Sequence, residues 1–432
     1  MKAIITVGLQ FGDEGKGSTV DYLCSKGNID LVVRYSGGSQ CGHSVVRPDK
    51  ISHVFSQFGS GTFHNVPTYL GPEVIINLPA LDKEAETLKL KGIENPYNLL
   101  YIDPRCLIST IYHQRLNRLR ESNRDITTRS GRHGSCGHGI GETRHYELLY
   151  GEDSLRFEDL AFPDIALRKL KLIQKRVLIA AQELNLSEIG DCSYLMFDEE
   201  QELSVYRDIY KKIRKDLAVF SIFSLVHSRK TNFKPNPNIL FEGAQGVLLD
   251  EWAGFHPHTT WSTVTTRHAV QMCQSLNMSN EDIQVLGIIR TTTTRHGSGP
   301  LPTCSKELTD KLVDVNNPTN PWQLNFRVGH FDFPLFNYAC DVVKREYKLD
   351  GIVLNHLDQI NSNVCTRYNG LTEELKYRGP NLKRQEQLGY RLWQVKPYLE
   401  QINETEFLAT ISKQAPITIV GRGPTYLDRT SL

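Results

Sequence analysis

Val7-Gly8-Leu9-Gln10-Phe11-Gly12-Asp13-Glu14-Gly15-Lys16-Gly17-Ser18 joins an apolar run, Ala3 to Val7, to Thr19-Val20-Asp21-Tyr22-Leu23, which reads as the start of a helix. A strand, a glycine-rich loop and a helix in this order make a phosphate cradle. Glycines let backbone N–H groups point inward, the helix adds its N-terminal dipole, and Lys16 adds a cation. Six residues separate Gly8 from Gly15, more than a Walker A loop allows. Asp13 and Glu14 stand inside the loop, where acids repel phosphate unless they hold a divalent cation or move a proton.

Outward from this loop, five further runs read as buried strands: Leu31 to Arg34, Asn238 to Phe241, Val285 to Ile289, Gly351 to Leu354 and Pro416 to Val420. Short apolar strands followed by Gly, Asn or Thr predict an α/β fold around a mostly parallel sheet, with the ligand site beyond the carboxyl ends of the strands. Ile111 to Arg120, Asp164 to Leu184 and Glu202 to His227 carry helical spacing. They predict a mainly helical insertion over roughly residues 105–235 of one large domain spanning 1–432.

Fifty Lys and Arg against 49 Asp and Glu leave a net charge of +1, so no basic excess marks a nucleic-acid binder. No apolar run approaches the length of a membrane span, and Met1 to Val7 lacks a signal-peptide layout. Nine scattered cysteines without a C-x-x-C pair fit a reduced, cytoplasmic protein. His256-Pro257-His258 reads as pocket or surface rather than as a metal site.

Further polar blocks follow the strands: Arg34-Tyr35-Ser36-Gly37-Gly38-Ser39-Gln40-Cys41-Gly42-His43, then Phe241-Glu242-Gly243-Ala244-Gln245-Gly246, then Thr294-Arg295 with Gly297, Gly299-Pro300 and Pro302-Thr303. Together with Gly12-Asp13-Glu14-Gly15-Lys16-Gly17, in this order and over nearly the whole chain, they resemble the adenylosuccinate synthetases. That family joins L-aspartate to IMP using GTP and Mg²⁺.

The resemblance implies roles residue by residue. Asp13 is the base at purine N1, His43 the acid toward the transferring phosphoryl group, and Gln245 the amide at the 6-oxo edge. Gly12, Glu14, Gly15, Lys16, Gly17 and Ser18 hold the nucleoside triphosphate. Asn355 and Asp358, in Asn355-His356-Leu357-Asp358, with Gly421 and Gly423, surround its base. A carboxylate at Asp358 matches the N1 and N2 donors of guanine, which favours GTP over ATP. Gln40, Ser135, Cys136, Arg144, Gln245 and Thr260 hold the purine monophosphate, and Asp13 with the Gly42 carbonyl holds Mg²⁺. Arg327 and Arg295 are the candidates for the amino acid.

Two departures mark this chain. Asn317 to Asp332 keeps only Arg327 of the family's arginine-rich aspartate loop. Ser135-Cys136 replaces two threonines of the phosphate loop. Phage relatives that use dGMP usually carry serine at the loop aspartate, whereas this chain keeps Asp13. IMP, GMP and dGMP all remain open as acceptors, as do another amino acid and a nucleotide-binding regulator without ligase chemistry. The family is typically homodimeric.

Overall fold

The computed structural model describes residues 1–127, 133–184, 198–214, 221–228, 233–312, 325–360, 362–371 and 375–432. Each expected strand is present. Ala3–Gly8 lies in a nine-stranded sheet whose order is Arg429–Ser431, Ile417–Gly421, Gly351–Asn355, Ile283–Arg290, Ala3–Gly8, Ile239–Glu242, Leu31–Arg34, Thr68–Leu70 and Leu100–Ile102. Every pairing is parallel except that of the edge strand Arg429–Ser431. Strands covered on both faces have no polar face, which is why they read as continuous apolar runs rather than as alternation. Leu31–Arg34, Ile239–Glu242 and Gly351–Asn355 are buried at every residue.

The parallel arrangement delivers Gly8, Arg34, Glu242, Arg290, Asn355 and Gly421 to one edge of the sheet. The site is built there.

A second sheet orders Thr292–His296, Phe326–Asp332, Asn363–Asn369 and Lys396–Gln401. Sequence reasoning missed it, because threonines, asparagines and charges interrupt its strands. A short antiparallel pair, His43–Val46 with Ser52–Phe55, starts at the candidate catalytic histidine. Helices Ile111–Thr127, Pro163–Gln182, Glu199–Arg214 and Ile222–His227 account for the expected helical stretches. Residues 215–220, within the last of those stretches, lie outside the described set. These helices build a second apolar core, in which Leu116, Leu170, Ile173 and Tyr206 pack with Phe55, Leu70 and Leu81.

Candidate active site

The glycine loop is folded by its own acid. The Glu14 carboxylate is fully buried and accepts the Gln10 N–H at 3.1 Å and the Gly12 N–H at 2.9 Å. It also pairs with Lys16. Glu14 therefore shapes the cradle from inside, which corrects its expected place on the ligand side. Lys16 has three ammonium donors, so pairing with Glu14 leaves others to meet phosphate. Helix Lys16–Ser25 starts from Gly15, whose φ of 88° is left-handed. No side chain caps this end and its first turn holds no acid, so its free N–H groups suit an anion.

Asn355 does not reach outward either. Its side-chain amide donates to the Glu14 carbonyl at 2.9 Å, the Gly15 carbonyl at 3.3 Å and Thr19 Oγ1 at 3.1 Å. It is a clamp on the loop rather than a reader of a base. Ser18 Oγ donates to the Gly15 carbonyl at 3.0 Å and accepts from buried Arg429. Arg429 also donates to the Thr425 carbonyl, tying the Gly421–Gly423 segment to the start of the helix. Asp358 sits exposed on the turn Leu357–Gln359, where its carboxylate is accessible to a ligand.

The opposite side of the loop opens on a cavity of about 810 Å³. Gly12, Asp13 and Lys16 form one wall; Gln40, Gly42 and His43 a second; Ser135, Cys136, Gln245, Thr260 and Arg295 complete it. The candidate catalytic side chains thus meet, although Gln245 lies more than two hundred residues from Asp13 and His43 in sequence. Asp13 (φ 60°) and Gln245 (φ 46°) both adopt left-handed backbone, which costs a non-glycine residue energy and tends to be retained where function requires it. An Asp13 carboxylate and the Gly42 carbonyl on one cavity suit Mg²⁺, which takes few protein oxygens and keeps others from water and phosphate.

His43 has a partner that sequence reasoning missed. Its Nδ1 lies 2.6 Å from Glu242 Oε1. The same carboxylate accepts Ser60 Oγ–H at 2.5 Å and Ser60 N–H at 3.0 Å. Burial opposes a charge on Glu242, yet Arg34, His43 and Ser60 together bring its carboxyl down to about 2. Burial, followed by the nearby Arg34, pushes the His43 imidazole down to about 4 against the pull of Glu242. This balance favours the neutral imidazole, with Nδ1 held by Glu242. The signal was present in Phe241-Glu242-Gly243, but nothing in the sequence says that His43 folds over that strand end.

At the acceptor wall, Ser135 Oγ exchanges hydrogen bonds with the Asn117 amide at 2.9 and 3.1 Å. Burial pushes the Cys136 thiol up to about 12. Arg144 is elsewhere: its guanidinium pairs with Glu73 at 3.1 Å and Glu147 at 2.9 Å, away from the cavity lining. Two acids thus hold the guanidinium that the sequence assigns to a phosphate.

Arg295 is fully buried and donates to the carbonyls of Ser298 (2.9 Å), Pro300 (3.2 Å) and His258 (2.8 Å). Arg327, its cross-strand neighbour, donates to the carbonyls of Gly297 and Gly299 at 2.6 and 2.8 Å. Both guanidinium groups shape the 297–300 turn rather than standing free as carboxylate forks. Residues 313–324, which hold the first half of the expected aspartate loop, lie outside the described residues.

Comparisons with known proteins place the chain in a family. The adenylosuccinate synthetase family model matches residues 5–419. The adenylosuccinate synthetase of Francisella tularensis subsp. tularensis is 29% identical over 423 residues, covering 96% of this chain and 90% of the relative. That of Methanococcoides burtonii is 32% identical over 383 residues, covering 86% and 83%. Among solved structures, fully ligated adenylosuccinate synthetase from Plasmodium falciparum superposes with a TM-score of 0.80 at 21% identity over the whole of both chains. A cyanophage S-2L succinoaminodeoxyadenylate synthetase bound to dGMP and dATP gives 0.57 at 18% identity, covering 100% of this chain and 95% of that one. Those two likenesses speak to the fold alone; the match along nearly the entire sequence goes further, and this chain belongs to the adenylosuccinate synthetase family.

Proposed function

We propose that the chain is a GTP- and Mg²⁺-dependent ligase that activates the 6-oxo group of IMP and joins it to L-aspartate, acting as a cytoplasmic homodimer with a helical insertion over roughly residues 105–235. The observation that carries this reading is the meeting of Asp13, Lys16, Gln245 and the His43–Glu242 pair around one cavity.

The purine O6 is a weak nucleophile until N1 loses its proton. Asp13 takes that proton, and Gln245 holds the 6-oxo edge. O6 then attacks the γ-phosphorus of GTP, forming the O6–P bond as the bond to GDP breaks. Phosphoryl transfer is mostly positioning and charge neutralisation, which Lys16 and the loop amides supply. Mg²⁺, held by Asp13 and the Gly42 carbonyl, would neutralise charge on the phosphates. Burial and the nearby Arg34 favour neutral His43. The approaching phosphoryl charge favours its protonated form, and Glu242 steadies that cation through Nδ1. In the second step the aspartate amine attacks C6, inorganic phosphate leaves with a proton from His43, and the succinyl adduct remains.

A second acceptor is favoured by one observation. Gln40 Oε1 and Gln245 Oε1 are buried without a donor and belong to residues lining the cavity. The 2-amino group of GMP or dGMP offers N–H donors that IMP lacks. The cyanophage neighbour, solved with dGMP, shows this fold holding such a nucleotide.

Mass spectrometry of products tests both readings, with IMP, GMP and dGMP offered in turn with L-aspartate, Mg²⁺ and GTP. A succinyl adduct on IMP supports the first reading; an adduct on GMP or dGMP alone replaces it with the second. The absence of any adduct refutes both.

A further inference from the structure

The stretch of cavity wall that carries Thr260 is a loop closed by one buried acid, which has no part in the reaction above. Asp250 follows the turn Val247–Leu249 and is 1% exposed. Its Oδ1 accepts the Trp252 N–H at 2.8 Å and the Ala253 N–H at 2.9 Å, and its Oδ2 accepts the Val264 N–H at 2.8 Å. One side chain therefore holds both ends of the stretch from 250 to 264. Pro257, His258, Thr259, Thr260 and Trp261, in its middle, line the cavity. The Thr260 N–H donates to the Leu249 carbonyl at 2.8 Å, which sets Thr260 against a turn that begins two residues after Gln245. From behind, helix Leu382–Gln394 brings the Gln385 amide to the Ala253 and Gly254 carbonyls, at 2.6 and 3.0 Å. The packing is tight: a Cβ on Gly254 would stand 2.6 Å from the Asp250 carbonyl oxygen. Burial pushes the Asp250 carboxyl up to about 6, against its three N–H donors. A buried carboxylate tolerates displacement poorly, since each donor it loses leaves charge unsatisfied.

We propose that Asp250 is a positioning residue for the acceptor nucleotide, setting the span between Gln245 and Thr260, and that Gln385 holds the same loop from its far side. The proposal rests on the assignment of Gln245 to the 6-oxo edge of the purine and of Thr260 to the 5′-phosphate. A nucleoside monophosphate presents its base at one end and its phosphate at the other. Both ends bind well only when the two groups that hold them stand at the matching distance, and a small misplacement forfeits one contact. Gln245 has its own tether outside this loop, its Nε2 donating to the Cys41 sulfur at 3.3 Å. Loosening the Asp250 contacts therefore costs the phosphate contact and spares the base contact. Asp250→Asn does this, because an amide has one acceptor oxygen where the carboxylate has two. An N–H₂ group then faces backbone donors at one end of the loop. The loop so held distinguishes a nucleoside monophosphate from its nucleoside.

The experiment compares the full wild-type chain with Asp250→Asn and Gln385→Met. Kinetics give KM for IMP, KM for GTP and the inhibition constant of inosine, which competes with IMP but lacks the phosphate. Hydrogen exchange of the 256–262 backbone reports how firmly the loop is held. Asp250→Asn should raise KM for IMP about 10-fold or more and leave the inosine and GTP constants within about threefold, with faster exchange of the loop. Gln385→Met removes the donors behind the loop and leaves Asp250 in place. It should shift the ratio of IMP to inosine in the same direction, by about three- to tenfold, and it carries the test if Asp250→Asn does not fold. Equal losses for IMP and inosine, or a rise in KM for GTP as large as that for IMP, overturn the proposal, because a merely structural role predicts them. Folded variants with unchanged exchange and unchanged KM for IMP overturn it as well. Faster exchange with KM for IMP unchanged shows instead that Asp250 pins the loop, and overturns the assignment of Thr260 to the phosphate.

Discussion

Replacing Glu242 by Gln tests the catalytic histidine through its hidden partner. The carboxylate is fully buried, 2.6 Å from His43 Nδ1, and is kept ionised by Arg34, His43 and Ser60 despite its burial. Gln preserves the shape and a hydrogen bond but removes the charge. When His43 becomes cationic during phosphoryl transfer, it loses an anion at a charge separation of about 4 Å. At an effective dielectric of about 20, that interaction is worth about 4 kcal/mol. Allowing for the hydrogen bond that Gln retains, kcat should fall by about 10²- to 10³-fold. KM for IMP and GTP should change by less than about threefold, because the loss arises as charge develops rather than on binding. Arg34, 2% exposed, loses its nearby anion too, so the variant should also be less stable by about 3 kcal/mol. Ser60→Ala is the comparison: it removes one contact to the carboxylate without removing charge, and should cost about tenfold or less. Steady-state kinetics with a continuous product assay, together with denaturant unfolding of each variant, separates the two effects. A folded Glu242→Gln enzyme with kcat within about threefold of wild type, or with its loss confined to KM, would refute the role given to the His43–Glu242 pair.

Other changes have equally definite outcomes. Asn355→Ala frees the carbonyls of Glu14 and Gly15; it should destabilise by about 1 to 3 kcal/mol and raise KM for GTP, measured by unfolding and kinetics. Gly15→Ala places a Cβ 2.8 Å from Asn355 Nδ2 on left-handed backbone; GTP binding by calorimetry should be lost, and retained affinity would contradict the loop geometry. Arg144→Ala breaks pairs with Glu73 and Glu147 away from the cavity, so KM for the acceptor should stay within about threefold; a large rise would restore the phosphate contact expected from sequence. Burial holds His113 at about 3, and burial with nearby cations holds His43 and His258 at about 4. Unfolded histidine titrates near 6.5, so between pH 6.5 and about 4 the folded chain binds fewer protons than the unfolded one. Stability should therefore fall as pH drops through that window, by up to about 1.4 kcal/mol per pH unit for each histidine, and be insensitive to them above it. Denaturant midpoints across this range, with His113→Gln giving a shallower slope, check the sign.

Much of this arrangement was legible because its signals are local. The six apolar runs are strands since both faces of a parallel sheet are buried, and the glycine loop is a loop since Gly15 requires a left-handed backbone. The meeting of Asp13, His43 and Gln245 was legible only through the motifs that carry them. What stayed hidden was the direction in which each side chain turns. Glu14 and Lys16 stand beside phosphate-binding glycines in sequence, yet Glu14 turns inward to hold Gln10 and Gly12. Asn355 looked like a base reader and is a strap on the loop. Arg144 has the charge for a phosphate but sits among acids that no local pattern places beside it. Glu242 was in plain view within its motif, but its role depends on a histidine 199 positions away.

The first strand of the chain has its sheet neighbours at Ile239–Glu242 and Ile283–Arg290. It therefore leaves the ribosome long before anything it pairs with. At about 5 to 20 residues per second, the roughly 280 residues to its second neighbour take about 15 to 60 s to synthesise. The nucleotide loop waits longer still, since Asn355 and Arg429 must both arrive before it is clamped. During synthesis the nascent N-terminus presents an apolar strand and an unformed phosphate cradle, while the helices around Leu170 and Tyr206 can already gather on the apolar core they share with Phe55 and Leu70. Ligase competence is thus a late event in the life of each molecule, and a chain truncated before residue 355 should hold a substantial folded portion yet bind no nucleotide.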